Sequence, residues 1–245
     1  MTLETCTFIS ELRRVFGLCG LDSYLNGTAE ERLFRLAEHL VSENAKYNLT
    51  AVTDPDGIIL RHFADSAALA PRLAERASLL DVGCGAGFPS LVVAILRPDL
   101  SVTALDSTEK RVRYVAGAAE LLGLTNLRAI AMRAEDGARG ELRESFDYVT
   151  ARAVARLPIL AELCIPYVKL GGSFLAMKGS GGDLELSEAA HAVSVLGGRT
   201  VAMHESILSN GRGEELTRTV AEIRKLSHTP PLYPRHFSKI SKKPL

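Results

Sequence analysis

Three glycines at alternate positions follow a carboxylate in the stretch Asp81-Val82-Gly83-Cys84-Gly85-Ala86-Gly87-Phe88-Pro89. Glycines at this spacing strip side chains from a backbone that bends sharply and let it approach a ligand closely. A second carboxylate, Asp106, ends the run Val102-Thr103-Ala104-Leu105. At the end of a strand it can accept hydrogen bonds from both hydroxyls of a ribose. Together they describe a site for an adenosine-containing cofactor. The dinucleotide fingerprint needs its third glycine three positions after the second, where a helix N-terminus receives a pyrophosphate. Here that position is Phe88, and the Pro89 that follows has no N–H to offer. The loop therefore suits a ligand without phosphates, such as S-adenosylmethionine (AdoMet). A glycine-rich turn alone would equally fit an ordinary α/β protein; the spacing to Asp106 favours the cofactor.

The remaining candidates are cations. Arg133, Arg152, Arg156 and Lys178 fall at or just beyond the carboxyl ends of predicted strands, where ligands of open parallel sheets gather. Cations around one pocket repel each other unless a polyanion or paired carboxylates accompany them. A nucleic acid supplies phosphates, and arginine donors match guanine O6 and N7. Taken singly, each arginine reads as the partner of a neighbour such as Glu135 or Asp136; as a set they point to a nucleic-acid substrate. His62 and Asp65 lie three apart on a predicted helix and share a face. That spacing gives either a catalytic pair or, more ordinarily, a helix-surface hydrogen bond. Lys110, Arg111 and Arg113 open a helix and read as solvated, with at most one directed toward RNA.

The elements that must position these groups are legible. Strands are expected over 79–83, 101–106, 127–132, 146–151 and 172–178, with helices over 89–96, 109–122, 135–143, 156–168 and 183–197. Alternation at this period predicts an α/β fold with a mostly parallel sheet. Two last strands, 200–208 and 214–224, flank Ser209-Asn210-Gly211-Arg212-Gly213 and predict an antiparallel hairpin closing the sheet edge. Residues 1–50 read as helical, with Thr28 and Glu31 at capping-box spacing. Asp54-Pro55 starts a further helix, with Asp as N-cap and Pro at the first position. Ile58, Ile59, His62, Phe63, Ser66 and Leu69 lie along its inner side. Pro230, Pro231 and Pro234 predict an extended C-terminal tail. The expected division is a helical extension over 1–54, a Rossmann-like core over 55–225 and a basic tail over 226–245.

Composition narrows the class. With 245 residues, 47% of them hydrophobic, the chain supports one sizeable α/β domain with a modest extension. Its 29 basic and 29 acidic residues balance, but after Glu222 no acid follows, while Arg224, Lys225, Arg235, Lys239, Lys242 and Lys243 do. Such a tail can touch nucleic-acid phosphates or simply be solvated. Cys6, Cys19, Cys84 and Cys164 include no C-x-x-C pair and no zinc spacing, so no metal site is expected and the usage fits a reducing cytoplasm. No secretory signal or membrane span is apparent. No heptad or long apolar edge calls for a second copy, so the chain reads as a monomer.

Several stretches together resemble the RsmG (formerly GidB) family of bacterial small-subunit ribosomal RNA guanine-N7 methyltransferases. They are Tyr47-Asn48-Leu49-Thr50, Arg61-His62-Phe63-Ala64-Asp65-Ser66, the glycine loop from Asp81 to Pro89, Leu105-Asp106-Ser107, Lys110-Arg111, Arg133-Ala134-Glu135, Ala151-Arg152-Ala153, Lys178-Gly179 and Tyr233-Pro234-Arg235. The resemblance runs from about residue 28 to the C-terminus; Ser90, where the family usually carries Gly, is one departure. It implies a Rossmann-like class I AdoMet-dependent methyltransferase fold with seven strands. It also implies methylation of N7 of one guanine, position 527 by ribosomal RNA convention, in 16S rRNA within the small subunit or an assembly intermediate. Cofactor contacts are expected at Gly83, Gly85, Gly87, Phe88, Asp106, Ser107, Thr108, Ala134, Glu135 and Arg152, with Glu135 or its neighbour near the adenine. Arg133, Arg152 and Lys178 are the residues expected to hold the target guanine and its phosphates. An inactive RNA-binding scaffold with a methyltransferase shell is the alternative. The retained glycines, Asp106 and strand-end cations argue against it, since a scaffold does not require them together.

Overall fold

The computed structural model describes residues 4–152, 154–179 and 181–245, the side chain of Asp183 excepted. Its centre is a seven-stranded sheet in the order β3-β2-β1-β4-β5-β7-β6. The strands are β1 (Ser78–Val82), β2 (Ser101–Asp106), β3 (Leu127–Ala131), β4 (Phe146–Arg152), β5 (Val168–Lys178), β6 (Gly198–Ser209) and β7 (Glu215–Lys225). The pairs β3/β2, β2/β1, β1/β4 and β4/β5 are parallel, while β7 inserts antiparallel between β5 and β6. The predicted hairpin is there, and it is the sheet's edge. A parallel sheet is buried on both faces, and strand side chains alternate between them. Leu79 and Leu175 join one core with α1 (Thr5–Leu18), α2 (Gly27–Tyr47), α5 (Ser90–Leu96) and α6 (Glu109–Leu121). Their neighbours Leu80, Phe174 and Ala176 join the other, with α8 (Leu157–Cys164) and α9 (Gly182–Val195). No described helix is long and apolar enough to cross a membrane.

Several expectations need correction. The cap of α2 is Asn26, not Thr28: its extended backbone (φ −149, ψ 168) lets the side chain accept from the Ala29 N–H at 2.9 Å. The helix foreseen over 135–143 is a single turn, α7 (Ala134–Gly137). Beyond it the Arg143 guanidinium donates to the carbonyls of Ala138, Tyr233 and Thr229, holding the chain in turns. The helix foreseen over 156–168 stops at Cys164 and tightens to a 3-10 turn over Ile165–Tyr167, because Pro166 has no N–H for the α pattern. The tail is not extended throughout: α10 (Phe237–Lys242) follows the prolines, with Ile240 fully buried.

The segment after Asp54 matters most for the site. Asp54 caps it as expected, accepting from the Gly57 N–H at 2.7 Å. Only α3 (Pro55–Gly57) and α4 (Asp65–Ala67) are α-helical; Ile58–Ala64 between them is a π-helix. The wider turn of a π-helix moves His62 and Asp65 out of the side-by-side arrangement that an α-helix would give. No hydrogen bond joins them; both bond instead to Arg152.

Candidate functional site

The carboxyl ends of β1, β2 and β3 surround a cavity of about 550 Å³. The β1 end supplies the glycine loop. Gly83, Gly85 and Gly87 all take positive φ (75, 56 and 83), a region that costs other residues roughly 1–2 kcal/mol. Their surroundings differ. A Cβ on Gly83 would lie 2.6 Å from the Val154 side chain at the cavity wall. One on Gly85 would meet nothing closer than the Gly83 carbonyl at 4.0 Å. One on Gly87 would strike Leu91 at 2.4 Å, inside the core. Gly83 and Gly85 line the cavity; Gly87 lies outside it and closes the packing of the turn onto α5. Ser90 is fully buried at the start of α5, donating its N–H to Asp81 at 3.2 Å, while its hydroxyl finds no partner. Burial pushes the Asp81 carboxyl up to about 6. Burial also raises the Cys84 thiol well above its ordinary value, so this loop carries no thiolate nucleophile.

Asp106 stands at the β2 end, buried. Its two oxygens accept from the Gly85 N–H at 3.1 Å and the Thr108 N–H at 2.8 Å, tying both loops together. Asp106 and Ser107 line the cavity and Thr108 does not. Arg111 comes within 3.6 Å of Asp106 and also lines the cavity, while its side chain stays exposed to solvent as expected. From β3 come Met132, Arg133, Ala134 and Glu135. Arg133 is exposed and makes no ion pair among the described residues, with neither Glu135 nor Asp136 holding it. Glu135 is 3% exposed, and its Oε1 has no hydrogen-bond partner. A buried carboxylate oxygen left unpaired is costly, which is the signature of an acceptor awaiting a donor. The fully buried Tyr167 fixes this corner by donating to the Ala134 carbonyl at 2.6 Å.

The opposite wall is Phe88, His62 and Arg152. The His62 and Phe88 rings stack at 4.4 Å with 3° between planes, and the Arg152 guanidinium lies 5.5 Å from the Phe88 centroid. Arg152 donates to Asp65 at 2.9 Å, to the Arg61 carbonyl at 3.0 Å and to His62 Nδ1 at 3.4 Å. His62 Nε2 lies 3.0 Å from the Thr50 hydroxyl, which also accepts from the Val52 N–H at 3.1 Å. With Nδ1 accepting from a guanidinium, the ring proton belongs on Nε2. Burial and the Arg152 charge push His62 down to about 4, so it is a neutral imidazole at neutral pH.

Behind this wall lies a second cavity of about 600 Å³, sharing His62, Arg152 and Val154 with the first. Arg61, Arg156, Lys178 and Arg218 line it. Lys178 is here and not in the first cavity; it bonds the Ala155 carbonyl and Glu185, both at 2.8 Å. Arg218, from β7, donates to Asp65 at 2.9 Å, so that one buried carboxylate holds two arginines.

Some contributors were not singled out as site residues beforehand. Leu49 and Thr50 reach the first cavity because Asn48 ends α2 in a left-handed conformation (φ 50) and the Asn44 side chain clamps both backbone groups of Thr50. The Tyr47-Asn48-Leu49-Thr50 stretch was the available signal. Leu163 and Val154 are plain apolar residues with no signal. Phe237 lines the cavity from the far end of the chain.

The family described as "GidB: rRNA small subunit methyltransferase G" matches residues 29–212. Among similar relatives, Ribosomal RNA small subunit methyltransferase G of Clostridium beijerinckii is 45% identical, over 82% of this chain and 84% of its own length. The protein of that name from Staphylococcus carnosus is 44% identical, over 91% and 94%. Among solved structures, M. jannaschii TYW2 in complex with AdoMet superposes with a TM-score of 0.54 at 14% identity, covering 66% of this chain and 75% of that one. Bacillus YcgJ superposes with a TM-score of 0.51 at 15% identity, covering 68% and 100%. At such identities these two show the fold alone, that of class I AdoMet-dependent methyltransferases.

Proposed function

The chain belongs to the rRNA small-subunit methyltransferase G family, and on that premise we propose that it transfers a methyl group from AdoMet to N7 of a guanine in 16S ribosomal RNA. The observation that carries the reading is the shared wall. One cavity has a glycine cradle, a strand-end carboxylate and an unpartnered Glu135 oxygen, which suit an adenosine-containing donor. The next is rich in cations, which suit a nucleotide and its phosphates. Arg152, His62 and Val154 stand between the two.

The donor supplies an electrophilic methyl on a sulfonium sulfur. Guanine N7 has an in-plane lone pair and carries no proton. The N7–C bond forms as the S–C bond breaks, its electrons return to sulfur, and the positive charge moves to the base. No general base is required, which suits a His62 that is neutral and hydrogen-bonded at both nitrogens. Its part is to brace Phe88 and Arg152. The task left to the protein is in-line positioning. Arg152, held from three directions, has the rigidity to orient guanine O6, with Arg133 and Lys178 toward adjacent phosphates. The methylated base is cationic, so unpaired arginines beside it would oppose the step. Asp65, set between Arg152 and Arg218, and Glu185, on Lys178, offset that repulsion.

The test is incubation of the protein with labelled AdoMet and small-subunit particles, followed by mapping of the modified nucleotide. The expected product carries the label on N7 of a single guanine, at position 527. Label on another atom or base, or none, refutes the reading.

A further inference from the structure

The chain beyond β7 is a strap fastened to the body. Arg143 grips its start through the Thr229 carbonyl at 2.6 Å and the Tyr233 carbonyl at 2.8 Å. Farther on, Arg235 closes on Glu162, a fully buried carboxylate of α8. The Arg235 N–H and Nε reach one oxygen at 2.7 and 2.9 Å, and Nη2 reaches the other at 2.6 Å. That bidentate latch fixes the start of α10 two residues later. Its first residue, Phe237, is 39% exposed yet lines the donor cavity, as does Leu163, the residue after Glu162. α10 packs on α8 and α8 on α7, and Phe237 and Glu135 line the same cavity. An apolar ring of this size, left partly in solvent in a cavity that also holds an unpartnered buried acceptor, is the complement of a purine: a flat face to cover and an exocyclic amine to receive.

We propose that Phe237 forms the aromatic wall for the donor's adenine ring, and that the Arg235–Glu162 latch is the positioning device that holds it there. This rests on the assignment of AdoMet to the first cavity and extends the binding site to a tail whose charge alone left it either on nucleic-acid phosphates or in solvent. A stacked base contributes enough that losing the ring weakens binding by roughly tenfold or more.

The experiment is calorimetry of AdoMet with the full chain and with Phe237→Ala, whose partly exposed site threatens no core. The parent is expected to bind, and the variant to bind at least about tenfold more weakly, with unchanged thermal unfolding. The natural sequence has no Trp, so Phe237→Trp carries the sole indole, and its emission should change saturably with AdoMet. Adding Arg235→Ala should abolish that response while leaving the variant folded, and should raise the KM for AdoMet more than that for the RNA particle. If the parent fails to bind AdoMet, the donor assignment falls and takes this inference with it. If the parent binds and Phe237→Ala binds as tightly, or the indole stays silent, only the role of Phe237 is overturned.

Discussion

On the glycine-loop side of Arg152 the cavity wall is largely backbone and uncharged side chain, with one carboxylate oxygen left without a partner. On the β5–β7 side the wall is cationic, and each cation already holds a carboxylate: Arg152 and Arg218 share Asp65, Lys178 has Glu185, Arg61 has Glu214 and Arg156 has Glu188. The first side is prepared for its ligand by what is missing, namely side chains and one hydrogen-bond donor. The second is prepared by neutralising charge in advance, so that cations can sit together without a polyanion present. The proposed transfer to N7, which would make a cationic base, would gain from the second arrangement, because its arginines could orient the base without a large net field against the developing charge.

The largest effect is expected for Arg152→Ala, which removes the group common to both cavities. Methyl transfer to small-subunit particles should fall by about a hundredfold or more, as for misplaced reacting atoms, while circular dichroism shows the fold retained. Equal turnover by a folded variant would show that the shared wall does not position the substrate.

The next effect is a pH dependence. Unfolded, His62 takes a proton at its ordinary 6.5; folded, it waits until about 4. Between those values the unfolded chain binds more protons, so stability falls on acidification, by roughly 3 kcal/mol in all. Asp81, raised to about 6 from 3.8, works in the opposite sense, since the folded state binds the extra proton there. Urea unfolding of the parent and His62→Gln isolates the histidine. The stability difference between them should shrink by about 3 kcal/mol from neutral pH to pH 4; a constant difference would mean that folding leaves the affinity of His62 for its proton unchanged.

Glycine substitutions separate packing from binding within one loop. Gly87→Ala combines a disfavoured φ with a collision against Leu91 and should cost about 2–4 kcal/mol of stability, with AdoMet affinity retained in what folds. Gly85→Ala has only the φ penalty, about 1–2 kcal/mol, and should act on AdoMet affinity instead. Thermal unfolding beside calorimetry distinguishes the two, and identical profiles would erase the distinction. The smallest effect belongs to Glu135→Gln. Replacing the orphaned acceptor should weaken AdoMet by about tenfold without lowering the melting temperature; tighter binding would place the adenine amine elsewhere.

These outcomes bear on residues whose legibility differed for physical reasons. The glycine loop and Asp106 are local: a turn and a strand end, readable from the order of residue types. So were all seven strands: burial on both faces leaves continuous apolar runs in β1 and β2, and the edge hairpin shows alternation. Helix ends were less legible. Asn26 and Thr28 both satisfy capping chemistry, and only the packed position of α2 selects between them. The short α7 depends on Arg143 binding carbonyls some ninety residues away, which no local pattern encodes. The spacing of His62 and Asp65 marks them as a pair, but their relation depends on the turn between them, since α and π turns give the same three-residue separation a different geometry.

Residue order alone is enough for the seven strands, the hairpin at the sheet's edge and the cradle at the first turn, because those follow from short-range stereochemistry and from burial periodicity; the order of the strands in the sheet is not among them. The sequence also determined that cations accumulate at the later strand ends. Only the tertiary structure decided which of those cations stand free and which are held, that Lys178 and Arg133 face different cavities, and that a basic tail returns an aromatic ring to the first. Charge pairing and wall membership are properties of contacts between segments far apart in the chain, and Asp65 can hold Arg152 and Arg218 only after the π-helix, β4 and β7 have been brought to one place.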